Sequence, residues 1–219
     1  MRKFFKDIVE GRKEEVIRQV EKNPALVNAA AKQPPKKYDD HSSLMLAIES
    51  WHFDLANYLI DKGADIHFVA ERENPNGWHM PILNLAFMMA TRACRHTYRY
   101  GVGDYHEEEV ISSKEKADAA YALVRRLIDM ETDVNGIAQN GIDGLPMNCA
   151  KMVYHQASFF LPGFVEHPER MSPECREDLT RLFRLLREYH ADYSDEFIMR
   201  DLKRPECPTY PFVRLLAQD

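Results

Sequence analysis

Ser42-Ser43-Leu44-Met45-Leu46-Ala47-Ile48-Glu49-Ser50-Trp51-His52-Phe53-Asp54-Leu55-Ala56-Asn57-Tyr58-Leu59-Ile60-Asp61-Lys62-Gly63-Ala64-Asp65-Ile66-His67 contains two short apolar periodic segments, a polar break between them and a Gly-Ala-Asp stop. Leu44, Ala47 and Ile48 fall three and four apart, which places them on one face of a helix. Leu55, Tyr58 and Leu59, with Ile60 beside them, do the same for a second helix. Gly63 stands where a helix needs a residue tolerant of positive φ in order to end. Two antiparallel helices this short cannot bury their apolar stripes alone, so the pattern should recur along the chain.

It recurs twice in register. Pro81-Ile82-Leu83-Asn84-Leu85-Ala86 opens a copy that closes at Leu127-Ile128-Asp129-Met130-Glu131-Thr132-Asp133-Val134-Asn135. Leu145-Pro146-Met147-Asn148-Cys149-Ala150 opens another that closes at Leu185-Leu186-Arg187-Glu188-Tyr189-His190-Ala191-Asp192-Tyr193. The three stretches resemble the ankyrin repeat, with its Thr-Pro-Leu-His-x-Ala opening, turn histidine, Val/Leu-rich second helix and Gly-Ala-Asp-Val-Asn close. Leu44, Ala47, His52, Leu55, Leu59 and Gly63 to Ile66 match that pattern, while Ser42, Ser43 and Met45 replace its Thr-Pro and its first histidine. The resemblance implies an all-α fold: an ankyrin-repeat solenoid of stacked helix pairs, joined by hairpin-like loops. It makes His52 the turn histidine, with no catalytic part.

The expected organisation is a single domain over 1–219. A capping repeat occupies 1–28, with Phe4, Phe5, Ile8 and Val9 as its first apolar stripe, Val16, Ile17 and Val20 as its second, and a polar outer face. Repeats follow at 40–67, 77–135 and 141–194, and a cap at 195–219. The second and third repeats each carry roughly 20 to 30 residues beyond the period of about 33. These insertions lie at about 91–117 and about 155–174. The first passes from a basic, tyrosine-rich half to an acidic half, and the second is apolar and aromatic. Stacking would set them side by side along one edge.

The 219 residues carry a formal net charge of −6 with both signs mixed, which disfavours nucleic acid or an anionic membrane as partner. Cys94, Cys149, Cys175 and Cys207 form no Cys-x-x-Cys pair and no compact framework, so free thiols in a reducing cytoplasm are expected. Lys6, Asp7 and Glu10 interrupt the N-terminal apolar run, so a signal peptide is not expected, and no stretch approaches the roughly 20 apolar residues of a membrane span.

Ankyrin proteins usually bind through the concave face. The resemblance therefore implies a protein or peptide partner held by Tyr38, Asp39, His41, Glu49 and Ser50 of the first full repeat, Trp78, His79, Met80, Met88 and Met89 of the second, and Ile142, Met152 and Val153 of the third. The methionines and Val153 would be unusual on that face, and exposed apolar groups mark interaction sites. The competing reading is that the insertions fold back and bury them in an enlarged core.

No catalytic, cofactor or metal pattern is found, so no enzyme activity, cofactor or metal is expected. Gly101-Val102-Gly103 lacks the strand and third glycine of a dinucleotide loop, and Cys94, His96, His106 and the adjoining glutamates match no closed zinc spacing. Arg92, Arg95, Tyr98, Arg99 and Tyr100 have the composition of a single-strand binder, but such clusters more often answer nearby acids, here Glu107 to Glu109. Two alternatives stand beside the binding module. One is a ligand or enzymatic pocket around His96, His106, His155 and His167. The other is self-association through Phe159, Phe160, Leu161 and Phe164, against an expectation of a monomer or weak homo-oligomer.

Overall fold

A computed structural model describes residues 2–32, 38–69, 80–95, 97–102, 105–110, 112–139, 146–160 and 171–218; at 97–102, 105–110 and 159–160 the description is of backbone. The layers are helical. Helices α1 (Lys3–Val9), α3 (Ser43–Glu49), α5 (Ile82–Arg92) and α7 (Cys149–Phe160) form one row, each packed on the next. Helices α2 (Lys13–Lys22), α4 (Phe53–Asp61), α6 (Lys114–Asp129) and α8 (Pro173–Glu188) stand behind them, with α4 packed on α6 and α6 on α8. Two short helices, α9 (Glu196–Asp201) and α10 (Tyr210–Val213), close the C-terminal end against α8. No helix among the described residues is long and apolar enough to cross a membrane.

Helices of seven residues such as α1 and α3 are too short to persist alone, so stacking must hold them. The turns between partners are built alike. Gly11 (φ 68°) and Trp51 (φ 65°) occupy the left-handed region. Their successors return to the preceding helix, Arg12 N to Asp7 O at 2.9 Å and His52 N to Ala47 O at 2.9 Å. His52 Nε2 then donates to the Val9 carbonyl at 3.1 Å, tying the second turn to the first.

The exits from α4, α6 and α8 are also built alike. Gly63, Glu131 and His190 all have positive φ, and the next N–H (Ala64, Thr132, Ala191) returns to the carbonyl of Leu59, Leu127 or Leu186. Asp65, Asp133 and Asp192 then accept the N–H two residues on, at 2.8 to 2.9 Å. Asparagines bridge successive exits. Asn28 donates to Gly63 O and accepts from Asp65 N, and Asn135 donates to His190 O and accepts from Asp192 N.

The connection before α3 is hairpin-like, as expected, with Ala31 N to His41 O and Asp40 N to Ala31 O both 2.8 Å. Ala138 and Met147 make the equivalent pair before α7. The first insertion contains structure that its charge pattern obscured. Strands β1 (Thr97–Val102) and β2 (Tyr105–Val110) form an antiparallel ribbon with Arg99 opposite Glu108. The second insertion begins later than 155, because α7 continues to Phe160. The rest of it, 161–170, lies outside the described residues.

The methionine-rich helix departs from expectation. Every residue of α5 from Ile82 to Thr91 is buried. Met88 and Met89, expected on an exposed face, are core residues, as are Met80, Met152 and Val153. Helix α5 packs on α3 and α7 within its row, on α6 behind it and on α8 beyond, so no side is left to water. A helix that is apolar all round takes such a position.

Candidate functional site

Five of the expected binding residues come together at α3. Ser42 caps the helix by accepting the Met45 N–H at 3.2 Å, which fixes His41 just before it and the finger residues Tyr38 and Asp39 beside that. The Tyr38 ring meets the His41 ring edge-on at 6.2 Å. Because a carbonyl only accepts, the 3.2 Å contact of His41 Nδ1 with Asp39 O places a proton on Nδ1. Nε2 then faces Glu49 Oε2 at 3.4 Å. His41 is itself buried and presents no surface, whereas Tyr38, Asp39, Glu49 and Ser50 remain partly open.

Glu49 Oε2 is a buried atom with no hydrogen bond. The field of Glu49 reaches Arg92, the last residue of α5, whose Nε donates to Gln156 Oε1 of α7 at 2.7 Å. Burial pushes the Arg92 guanidinium pKa down, and the negative charge of Glu49 acts against that shift without cancelling it. Arg92 has no ion-pair partner among the described residues. Gln156 is 3% exposed and its Nε2 has no partner. A buried amide hydrogen left unmade costs about 1–3 kcal/mol. Glu49, Arg92 and Gln156 thus form a polar seam across α3, α5 and α7 in which one buried carboxylate oxygen and one buried amide nitrogen lack a hydrogen bond among the described residues.

Gln156 was not singled out from sequence, and Arg92 was grouped only with the basic cluster. The available signal was a polar residue interrupting an apolar helical run at both places. Trp78, His79 and Ile142 lie outside the described residues, as do His96 and His167, and the side chain of His106 is not described. Arg95 answers acids on α8, while the side chains of Glu107 to Glu109 lie outside the description. It binds Asp178 through its backbone N–H at 3.0 Å, Nε at 2.9 Å and Nη2 at 3.0 Å, and Glu177 at 3.1 Å.

Cys94, Cys149 and Cys175 are buried free thiols, and burial pushes Cys175 up to about 12, so it stays protonated near neutrality. Among the described residues no group of three or more His, Cys, Asp or Glu side chains could hold a metal ion. In comparisons with known proteins, no family model and no curated protein matches the chain.

Proposed function

We propose that the chain is an ankyrin-type repeat solenoid that serves as a non-catalytic binding module for a protein or peptide. Its contact edge runs from Tyr38, Asp39, Glu49 and Ser50 to Arg92. The observation that carries this reading is the partly open cluster of Tyr38, Asp39, Glu49 and Ser50 gathered about the two ends of α3, with Arg92 of the adjoining α5, which has no ion-pair partner among the described residues. The repeat reading rests on the threefold exit geometry, the two asparagine bridges and the His52 tie between turns. The edge lies within one chain, in keeping with a monomer or weak homo-oligomer.

The test is affinity capture from lysate with the wild type beside a Tyr38→Ala, Glu49→Lys, Ser50→Arg variant whose circular dichroism matches it. A protein retained by the wild type and lost by the variant is the expected result. Equal retention by both, or no specific partner on the wild type, overturns the assignment.

A further inference from the structure

Three of the four acids of α8 are paired with arginines of the fold, while Glu174 is exposed in its first turn without an ion pair among the described residues. Asp178 binds Arg95 and Arg181, Glu177 binds Arg95, and Glu188 binds Arg125 at 3.3 Å. Arg176, Arg184 and Arg187 of the same helix have no ion-pair partner among the described residues. The first two lie on a groove of about 540 Å³, with Thr180 and Arg181 between them and Met171 and Pro173 at one end. Glu177, the carboxylate on this groove, is already bound to Arg95.

The spacing selects the ligand. Eight residues of helix separate Arg176 from Arg184, about 12 Å of rise. In an extended peptide, residues four apart point the same way and lie about 13 Å apart. Thr180 stands midway, where the peptide backbone would pass. The net negative charge of the chain opposes any polyanion in proportion to its length, so a short peptide with two carboxylates is opposed least, and the Tyr121 ring is already covered by the Arg181 guanidinium at 4.9 Å. A stacking platform for nucleic-acid bases is therefore lacking among the described groove residues. We infer that this groove binds an extended acidic peptide segment whose carboxylates recur at every fourth residue, on a surface separate from the α3 edge.

The full chain is titrated by fluorescence anisotropy, at about 50 mM salt to limit screening. The probe is a fluorescein-labelled Ser/Gly peptide carrying two glutamates four residues apart. Saturable binding is expected. It should weaken about tenfold in an Arg176→Ala, Arg184→Ala variant and with the glutamine version of the probe, as two charge-assisted contacts are lost. Both arginines are on the solvent side, and matching circular dichroism confirms that the variant is folded. Absence of binding, equal binding by the variant or by the glutamine peptide, or equal binding of a probe with glutamates two apart overturns the inference. So does tighter binding of a single-stranded oligonucleotide through the same arginines.

Discussion

Asp178 is where the first insertion is tied to the last helix pair, and replacing it by asparagine isolates one charge with little change of shape. Its carboxylate is 1% exposed, accepts three hydrogen bonds from Arg95 and forms an ion pair with Arg181 at 3.1 Å. Removing one member of a buried ion pair costs about 3–5 kcal/mol. Here that figure is reduced, because Arg95 keeps Glu177, Arg181 keeps Asp118, and the Arg95 side chain is 14% exposed. The asparagine also turns an N–H₂ towards donors, stranding about one of them at roughly 1–3 kcal/mol. A loss of about 2–3 kcal/mol follows, or a fall in Tm of about 5–10 °C for a chain of this size.

Urea unfolding followed by circular dichroism measures the loss, and hydrogen exchange locates it. Protection should fall in α8 and be kept in α1 to α4, since a stacked array is held by nearest neighbours. A double-mutant cycle of Asp178→Ala with Arg95→Ala should show coupling of at least about 1 kcal/mol. A loss under about 0.5 kcal/mol, or additive single variants, would mean that the ion pair is held by the surrounding packing and contributes little to it.

Three further outcomes are expected. Gly11→Ala should cost about 2–3 kcal/mol, because φ is 68° and the new Cβ would lie 2.5 Å from His52 Cε1. Gly63→Ala, at φ 87° with open space around it, should cost only about 1 kcal/mol; equal losses in urea unfolding would remove the steric role of His52. His67 occupies the position that Asn28 and Asn135 hold in the neighbouring exits, and it makes neither of their bridging bonds. His67→Asn should therefore raise stability by about 0.5–1 kcal/mol, and an unchanged or lower urea midpoint would refute the bridge argument.

Burial alone would raise the pKa of Asp7, but hydrogen bonds from Gln19 and Arg12 outweigh it and hold the carboxyl low. Thr209, Tyr154 and Arg200 do the same against burial for Asp201. A carboxyl with a lower pKa folded than unfolded contributes stability above its unfolded pKa, near 4 for aspartate, and loses it as the pH falls through the folded value. Asp7→Asn and Asp201→Asn should each lower the urea midpoint at pH 7 and flatten its decline below about pH 4. An acid limb as steep as that of the wild type would exclude these two groups.

How far the sequence can be read depends on the distance over which each feature is decided. The spacing of Leu44, Ala47 and Ile48, the stop at Gly63 and the turn at Asp65 are settled within a few residues, so α3, α4 and their exit were legible. His41, Glu49 and Tyr38 also come together through one finger and one helix. Burial of Met88 and Met152 was not legible, because it depends on how many helices surround α5 and α7, and those come from across the chain. Gln156 is ordinary until Arg92, distant in sequence, reaches it.

The first insertion shows the opposite failure. Thr97, Tyr98, Tyr100 and Val102 favour strands and Gly103-Asp104 favours a turn, yet the basic and acidic halves drew attention to charge, when their opposition across the ribbon register is what an antiparallel pair brings about. Glu131 and His190 carry the same lesson further. Each sits in the left-handed region where glycine would be free, at a cost of roughly 1 kcal/mol, because the stacked neighbours fix the exit and the local residue must follow. Where neighbours dictate the backbone in this way, the glycine signal disappears from the sequence while the turn remains in the fold. The recurring exit is therefore better recognised by its aspartates at 65, 133 and 192, whose hydrogen bonds are local at all three places.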